Sequence, residues 1–449
     1  MIKIVESANR RAVAALLSAE RVRDADTERR VAAIVSAVRQ KGDAALLAYA
    51  RQLDGLDGAI EVSLDEMRAA ARTVPAPVRA AIRAAAKNIR TVARRQVPRG
   101  WRVRVAPGVV VEQRITPLDR VGCYVPAGRY PLPSSLLMTA IPARAASVGE
   151  VFVVCPRPAP VVMAAALEVG VSRFFRVGGA HAVAALAYGT RTIPRVDKIV
   201  GPGSRYVAAA KALVASDCGI DFYAGPTEIV IVSSRAPAAW IAADLIAQAE
   251  HDPDARAVLI TPSRALANRV AAQIGVRLPD DGPARASLAA HGGIIVTRSM
   301  AEAIELANEA AAEHLVVDDE AAAARVRAAG SLFVGPWSAQ VAGDYAIGSN
   351  HVLPTAGAAR VRGGLSAADF VRQITVQRLS PAGLRRIGTS VIDLATAEGL
   401  TAHAESVAIR VARPSTVEGR RRNGEGRPRN AERRSQRVAG PSSRAGGRR

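Results

Sequence analysis

The chain has 449 residues, 49% hydrophobic, 22% charged and 4% aromatic, which predicts two or three globular units and excludes a fibrous or wholly disordered polymer. Three scattered cysteines, Cys123, Cys155 and Cys218, with no C-x-x-C spacing, exclude a disulfide framework and a thiolate metal site, so any metal here takes nitrogen and oxygen ligands. The net charge of +21 raises the question of nucleic acid, yet residues 414–449 alone carry eleven arginines against three glutamates, and the body has no basic-aromatic stripe, helix-turn-helix signal or zinc-finger spacing.

No membrane partner is expected either. The longest charge-free run, Ala328 to Gly343, has sixteen residues, short of the ~18 needed for a span, and the amino terminus lacks the apolar block of a signal peptide. The expected location is cytoplasmic.

In chain order, apolar residues recur at helical spacing from Thr27 to Arg95 (Val31, Ile34, Val35, Val38, then Leu46, Leu47 and Tyr49), broken at Gly42 and Pro75. Residues 1–105 therefore read as a mainly helical segment. Val103 to Gln113 has β texture. The next series predicts strands at Val151–Cys155, Phe174–Val177 and Lys198–Val200, with helices at Ala159–Leu167, His181–Ala187 and Tyr206–Val214. A second series predicts strands at Ile229–Val232, Ala257–Ile260, Gly293–Val296 and Ser331–Val334, with helices at Pro237–Ala249, Ala265–Ile274 and Met300–Ala311. Such alternation predicts an α/β protein: two incomplete Rossmann-like domains with parallel sheets, over 106–222 and 223–360. Residues 361–413 return to helical texture from about Ser366 to Ala408, and 414–449 read as a disordered basic tail.

Two glycine-bearing junctions follow predicted strands. Val200-Gly201-Pro202-Gly203-Ser204-Arg205-Tyr206 and Gly178-Gly179 both open helices, so their amides could face a phosphate, although Tyr206 replaces the third glycine of the dinucleotide fingerprint. Tight βα turns explain the same glycines equally well.

Only six histidines occur, which makes their settings informative. Gln248 and His251 are three apart at a predicted helix end, one face of which could direct an amide oxygen and an imidazole to a common point. Asp344, His351 in a polar loop, and His403 after Glu398 complete a nitrogen and oxygen donor set suited to zinc or a similar divalent ion. Each of these taken singly also fits a cap, a loop bond or a solvated side chain. Glu313 and His314 stand where a helix meets the apolar run Leu315-Val316-Val317. They could serve as two separate proton acceptors, or be a helix-end histidine beside a surface glutamate.

Taken together these segments resemble the histidinol dehydrogenases. The motifs that carry the likeness are Val121-Gly122-Cys123-Tyr124-Val125-Pro126-Ala127-Gly128, Gly178-Gly179-Ala180-His181-Ala182, Val196-Asp197-Lys198-Ile199-Val200-Gly201-Pro202-Gly203, Ala224-Gly225-Pro226-Thr227-Glu228, Gln248-Ala249-Glu250-His251, Glu313-His314-Leu315, Gly343-Asp344-Tyr345, Asn350-His351-Val352-Leu353-Pro354-Thr355 and Leu400-Thr401-Ala402-His403. The resemblance implies a zinc-dependent homodimer that oxidises L-histidinol to L-histidine with two NAD molecules, through a bound aldehyde. It makes Gln248, His251, Asp344 and His403 the zinc ligands, His403 coming from the partner subunit. Thr227, His351 and Glu398 would orient the substrate, His314 would take the hydroxyl proton and Glu313 would activate water. Tyr124, His181 and Ser204 would border NAD. The sequence departs from the family's usual pattern at His181, where glutamine is common, at Ser204, where asparagine is, and at Ala312, in place of a proline. A paralogous dehydrogenase acting on another polar alcohol is the alternative enzyme reading, and a nucleic-acid-binding protein using the arginine tail is the rival from another class.

Overall fold

The computed structural model describes residues 2–18, 24–127, 130–223 and 225–412. The tail expected over 414–449, and Gly128 and Ala224 of the quoted motifs, lie outside the described residues. Among the described residues two compact units emerge, one of 2–102 with 112–376, the other of 103–111 with 377–412.

The strands are β1 Lys3–Glu6, β2 Trp101–Ala106, β3 Val109–Pro117, β4 Arg120–Tyr124, β5 Glu150–Val154, β6 Arg173–Phe175, β7 Lys198–Val200, β8 Gly219–Ile220, β9 Glu228–Val232, β10 Arg256–Thr261, β11 Gly293–Val296, β12 His314–Val317, β13 Ser331–Val334 and β14 Val371–Leu379. Both expected parallel sheets lie in the first unit. One has five strands in the order β6-β5-β4-β7-β8, the other six in the order β1-β11-β10-β9-β12-β13, and every pairing within them is parallel. The strand order reverses between β4 and β7 in the first sheet and between β9 and β12 in the second, the two topological switch points.

The strands read as unbroken apolar runs because helices cover both faces of each sheet. Against the five-stranded sheet, one core gathers Ile89, Leu136, Met138, Ile141 and Phe174 and the other Val31, Leu46, Phe152, Phe175 and Leu186. The six-stranded sheet likewise separates a core around Val230, Ile260 and Leu315 from one around Ile231, Leu259 and Leu245. Each such fully buried side chain contributes about 1.5–3 kcal/mol. The helices obey local rules as well. In Ala25–Lys41 the Asp24 carboxylate accepts the Asp26 amide, acids fill the first turn, Arg39 and Lys41 fill the last, and the chain turns out at Gly42 with φ 53°.

Two elements correct the sequence-based expectation. β1 joins the second sheet as an edge strand beside β11, so the first residues are not part of a helical segment. β14 occupies Val371–Leu379, inside the stretch from Ser366 to Ala408 expected to be helical; its Thr, Val and Ile content supports the extended form. Helix Ala238–Ala249 ends where expected, with Glu250 as its C-cap, so Gln248 lies in its last turn and His251 just beyond it. In the second unit, helices Pro381–Ala397 and Thr401–Val411 pack closely at Gly388, where a Cβ would come within 2.9 Å of Val411.

Candidate active site

At the second switch point the neighbouring strands β9 and β12 begin side by side, His314 opposite Ile229. The side chains that cluster there belong to the amino-terminal ends of the strands. Glu313 and His314 are 6% and 4% exposed, which excludes the reading of a surface glutamate beside a helix-end histidine.

A directed chain of hydrogen bonds organises the acid. The Gln248 amide nitrogen donates to the Thr227 hydroxyl, which donates to Glu313 Oε2. The Glu228 amide donates to the same oxygen at 2.8 Å. Burial pushes the Glu313 carboxyl up, opposed by His314, Thr227 and the Glu228 amide. With its nitrogen committed to Thr227, Gln248 is fully buried and its Oε1 has no hydrogen-bond partner.

His314 is oriented from one side only. Its Nδ1 meets the Glu228 carbonyl at 3.1 Å, an acceptor that fixes the proton on Nδ1 and leaves Nε2 with a free lone pair. Nε2 is buried without a hydrogen-bond partner and lies 3.8 Å from Asp344 Oδ1. Burial pushes the imidazole down, but Glu313, Asp344 and the Glu228 carbonyl outweigh it and leave it raised.

Asp344 comes from the short helix Gln340–Tyr345. Gly343 allows that helix to sit on β13, since a Cβ there would lie 2.8 Å from the Phe333 ring. Gln340 Nε2 donates to Asp344 Oδ2 at 2.8 Å. Burial raises the Asp344 carboxyl, but His314, His351 and Gln340 together hold it below the usual carboxylate range. The loop beyond is pinned by Asn350 Nδ2, which donates to the Met138 carbonyl at 2.7 Å. It places His351 Nδ1 3.1 Å from the Asp344 carbonyl, and burial pushes that imidazole down.

Thus Thr227, Gln248, Glu313, His314, Asp344 and His351 come together in one unit. His251 follows on the exposed surface. Glu398 caps helix Pro381–Ala397 and His403 lies in the first turn of Thr401–Val411, both in the second unit. Among the described residues no three His, Cys, Asp or Glu side chains gather as a metal site, and the expected ligand set takes only His251 and Asp344 of those types from the first unit. The donors present fit a divalent ion nonetheless: the orphaned Gln248 oxygen and the ionised Asp344 are oxygen ligands with capacity to spare.

The cofactor-side residues flank the other switch point. Gly201, with φ 117°, lets the end of β7 touch β4, for a Cβ would sit 2.2 Å from the Tyr124 carbonyl. Its amide is already held by Asp221 at 2.7 Å, the Gly178 amide by Asp54 at 2.8 Å and the Gly179 amide by the Tyr124 hydroxyl at 3.0 Å. These glycines serve close packing. The free donors lie at helix Arg205–Val214, whose N-cap Ser204 makes no side-chain cap bond and is exposed. His181 is fully buried, its Nε2 2.7 Å from Asp54 Oδ2 and its Nδ1 unpartnered. Sequence reasoning missed Asp54 and Gln340, which carry no local signal, and gave no role to Glu228, which it quoted within a motif.

The family model described as histidinol dehydrogenase matches residues 17–411. A histidinol dehydrogenase of Aromatoleum aromaticum is 45% identical over 413 residues, 88% of this chain and 94% of the relative. One from Methylococcus capsulatus is 44% identical over 411 residues, 88% of this chain and 94% of the relative. The crystal structure of histidinol dehydrogenase from Elizabethkingia anophelis superposes with a TM-score of 0.86 at 31% identity, covering 91% of this chain and 98% of that one. On the family match, these relatives and the shared fold, the chain belongs to the histidinol dehydrogenase family and is an oxidoreductase of histidine biosynthesis.

Proposed function

We propose that this enzyme oxidises L-histidinol to L-histidine in two steps through bound histidinal, reducing two NAD, with zinc held by Gln248, His251, Asp344 and, from a second copy of the chain, His403. The observation that carries the reading is the pair of buried proton acceptors with distinct settings: His314, whose Nε2 is free, and Glu313, whose carboxylate is oriented by Thr227. Zinc, when bound by these residues, would supply Lewis-acid chemistry at the substrate.

The chain's own residues divide the proton work. His314 Nε2 accepts the hydroxyl proton as a hydride passes from the carbinol carbon to NAD, giving aldehyde and NADH. Glu313 accepts a proton from the water that adds to the aldehyde carbon, and the hydrate gives the second hydride to a second NAD, leaving a carboxylic acid. Two oxidations at one carbon need two acceptors, because the first is still protonated when water must be activated. His351, with Nδ1 turned to the Asp344 carbonyl, leaves Nε2 to hold the substrate, as do Thr227 and Glu398. The uncapped helix start at Ser204 offers amides to the cofactor's phosphates, with Tyr124 and His181 behind it.

The deciding assay is NADH formed per histidinol consumed by the purified protein, before and after dialysis against a strong chelator. The expected ratio is two, with turnover abolished by the chelator and restored by zinc. A ratio of one, or full activity without metal, removes the proposal. Oxidation of another polar alcohol but not histidinol would place the chain with the paralogues.

A further inference from the structure

We infer that Glu228 is a positioning residue for the Glu313–His314 pair, acting through the reach of its carboxyl oxygen as a hydrogen-bond acceptor and not through its charge. This rests on the proton roles given above, and it assigns a part to a buried acid that those roles leave unused.

Glu228 begins β9 and is 4% exposed. Its Oε1 accepts the Glu313 amide at 3.3 Å and the Ala356 amide at 3.1 Å. The bonds are returned: the Glu228 amide donates to Glu313 Oε2 at 2.8 Å, and the Glu228 carbonyl receives His314 Nδ1 at 3.1 Å. The register of β12 on β9 starts only at His314 opposite Ile229. The Glu313 amide therefore precedes the ladder, and the Glu228 side chain stands in for a missing rung. Without it a buried amide is orphaned, and the peptide that carries Glu313 turns to find another acceptor. Ala356, a non-glycine residue with φ 53°, is held in a left-handed turn by the same oxygen.

The charge has no comparable partner. Arg256 lies opposite on β10, but its guanidinium donates to the Leu16 and Ala15 carbonyls. Glu313 is a second acid close by. Burial, followed by that neighbour, pushes the Glu228 carboxyl up to about 7 against the weaker pull of Arg256, so its outer oxygen already tolerates a proton. A glutamine preserves the acceptor and loses the charge; an aspartate preserves the charge and withdraws the acceptor by one methylene.

That contrast is the test, made on the full chain with zinc and NAD. Glu228→Asp should lower kcat on supplied histidinal by about tenfold or more with KM within about twofold. Its effect on histidinol oxidation to the aldehyde level should be smaller, since the carbonyl that holds His314 is untouched. Glu228→Gln should stay within about threefold of the parent in both steps. Hydrogen–deuterium exchange at residues 312–314 and 355–357 should rise in the aspartate variant and not in the glutamine variant. A tenfold loss in Glu228→Gln, or an aspartate variant with unchanged kcat and exchange, overturns the inference. If the parent oxidises no histidinol, the proposed reaction falls, while the exchange contrast still decides the clamp.

Discussion

Apart from the added edge strand β1, the two parallel sheets share one strand order, and they differ in what fills their carboxyl edges. In the first, the carboxyl ends of β4 and β7 meet at the switch point, and the helix that follows β7 begins uncapped at Ser204, with free amides toward any anion. In the second, the corresponding carboxyl edge is already filled by the protein's own acid. Asp318, just past β12, accepts the Ser233 hydroxyl at 2.6 Å and the Ser234 amide at 2.8 Å, and Asp319 caps the next short helix. A carboxylate thus occupies that edge, while Glu313 and His314 lie at the amino-terminal edge.

The largest expected effect breaks the second region. Glu313→Gln should slow oxidation of supplied histidinal by roughly 10²–10⁴-fold and His314→Asn should do so for histidinol oxidation to the aldehyde level, each sparing the other half-reaction comparatively. Equal losses in both half-reactions would show that the two acceptors are not divided. Next comes the close contact of the first region. Gly201→Ala forces a Cβ onto the Tyr124 carbonyl at φ 117° and should cost about 3 kcal/mol or more by denaturant unfolding. Gly335→Ala, also at positive φ but in open space at the end of β13, should cost only about 1 kcal/mol. Similar losses would mean that the approach of β7 to β4 is soft.

The buried acid of the second region gives a pH signature. A Glu228 carboxyl held at about 7 in the folded chain and near ~4.3 in the unfolded one keeps its proton better when folded. Stability is therefore full below pH ~4.3 and falls by as much as about 4 kcal/mol as pH rises through 7. Glu228→Gln removes that loss, so its melting temperature relative to the parent should climb between pH 5 and 8; a constant difference would show that the carboxyl is not raised. The smallest effect converts one region into the other. Ser204→Asp adds a capping carboxylate at the open helix start, which should raise the KM for NAD by roughly tenfold while stabilising the helix by about 0.5–1 kcal/mol. An unchanged KM would remove that helix start from the cofactor site.

Legibility in the sequence followed the range of the interactions. The strands β7 and β11 match their expected bounds, because strands buried on both faces are continuous apolar runs bounded by polar turns; β13 matches too, although it is a half-exposed edge strand. β1 gave no such sign: it is an edge strand whose partner lies nearly three hundred residues away. In the site, residue types were readable and their company was not. His181 was read as a cofactor contact, and its bond to Asp54, 127 positions distant, is invisible to any local pattern.

By itself the sequence determined the alternation of strands and helices and, through its ordered motifs, the family. These depend on spacing and side-chain type, which one dimension records. Only the tertiary structure decided that Glu313 is held by Thr227 and Glu228, that His314 keeps Nε2 free, that Gln248 turns its oxygen outward from Thr227, and that the glycines after β6 and β7 serve packing. Each of these depends on which donor meets which acceptor once water is excluded, and that pairing is set by strands and helices brought together from distant parts of the chain.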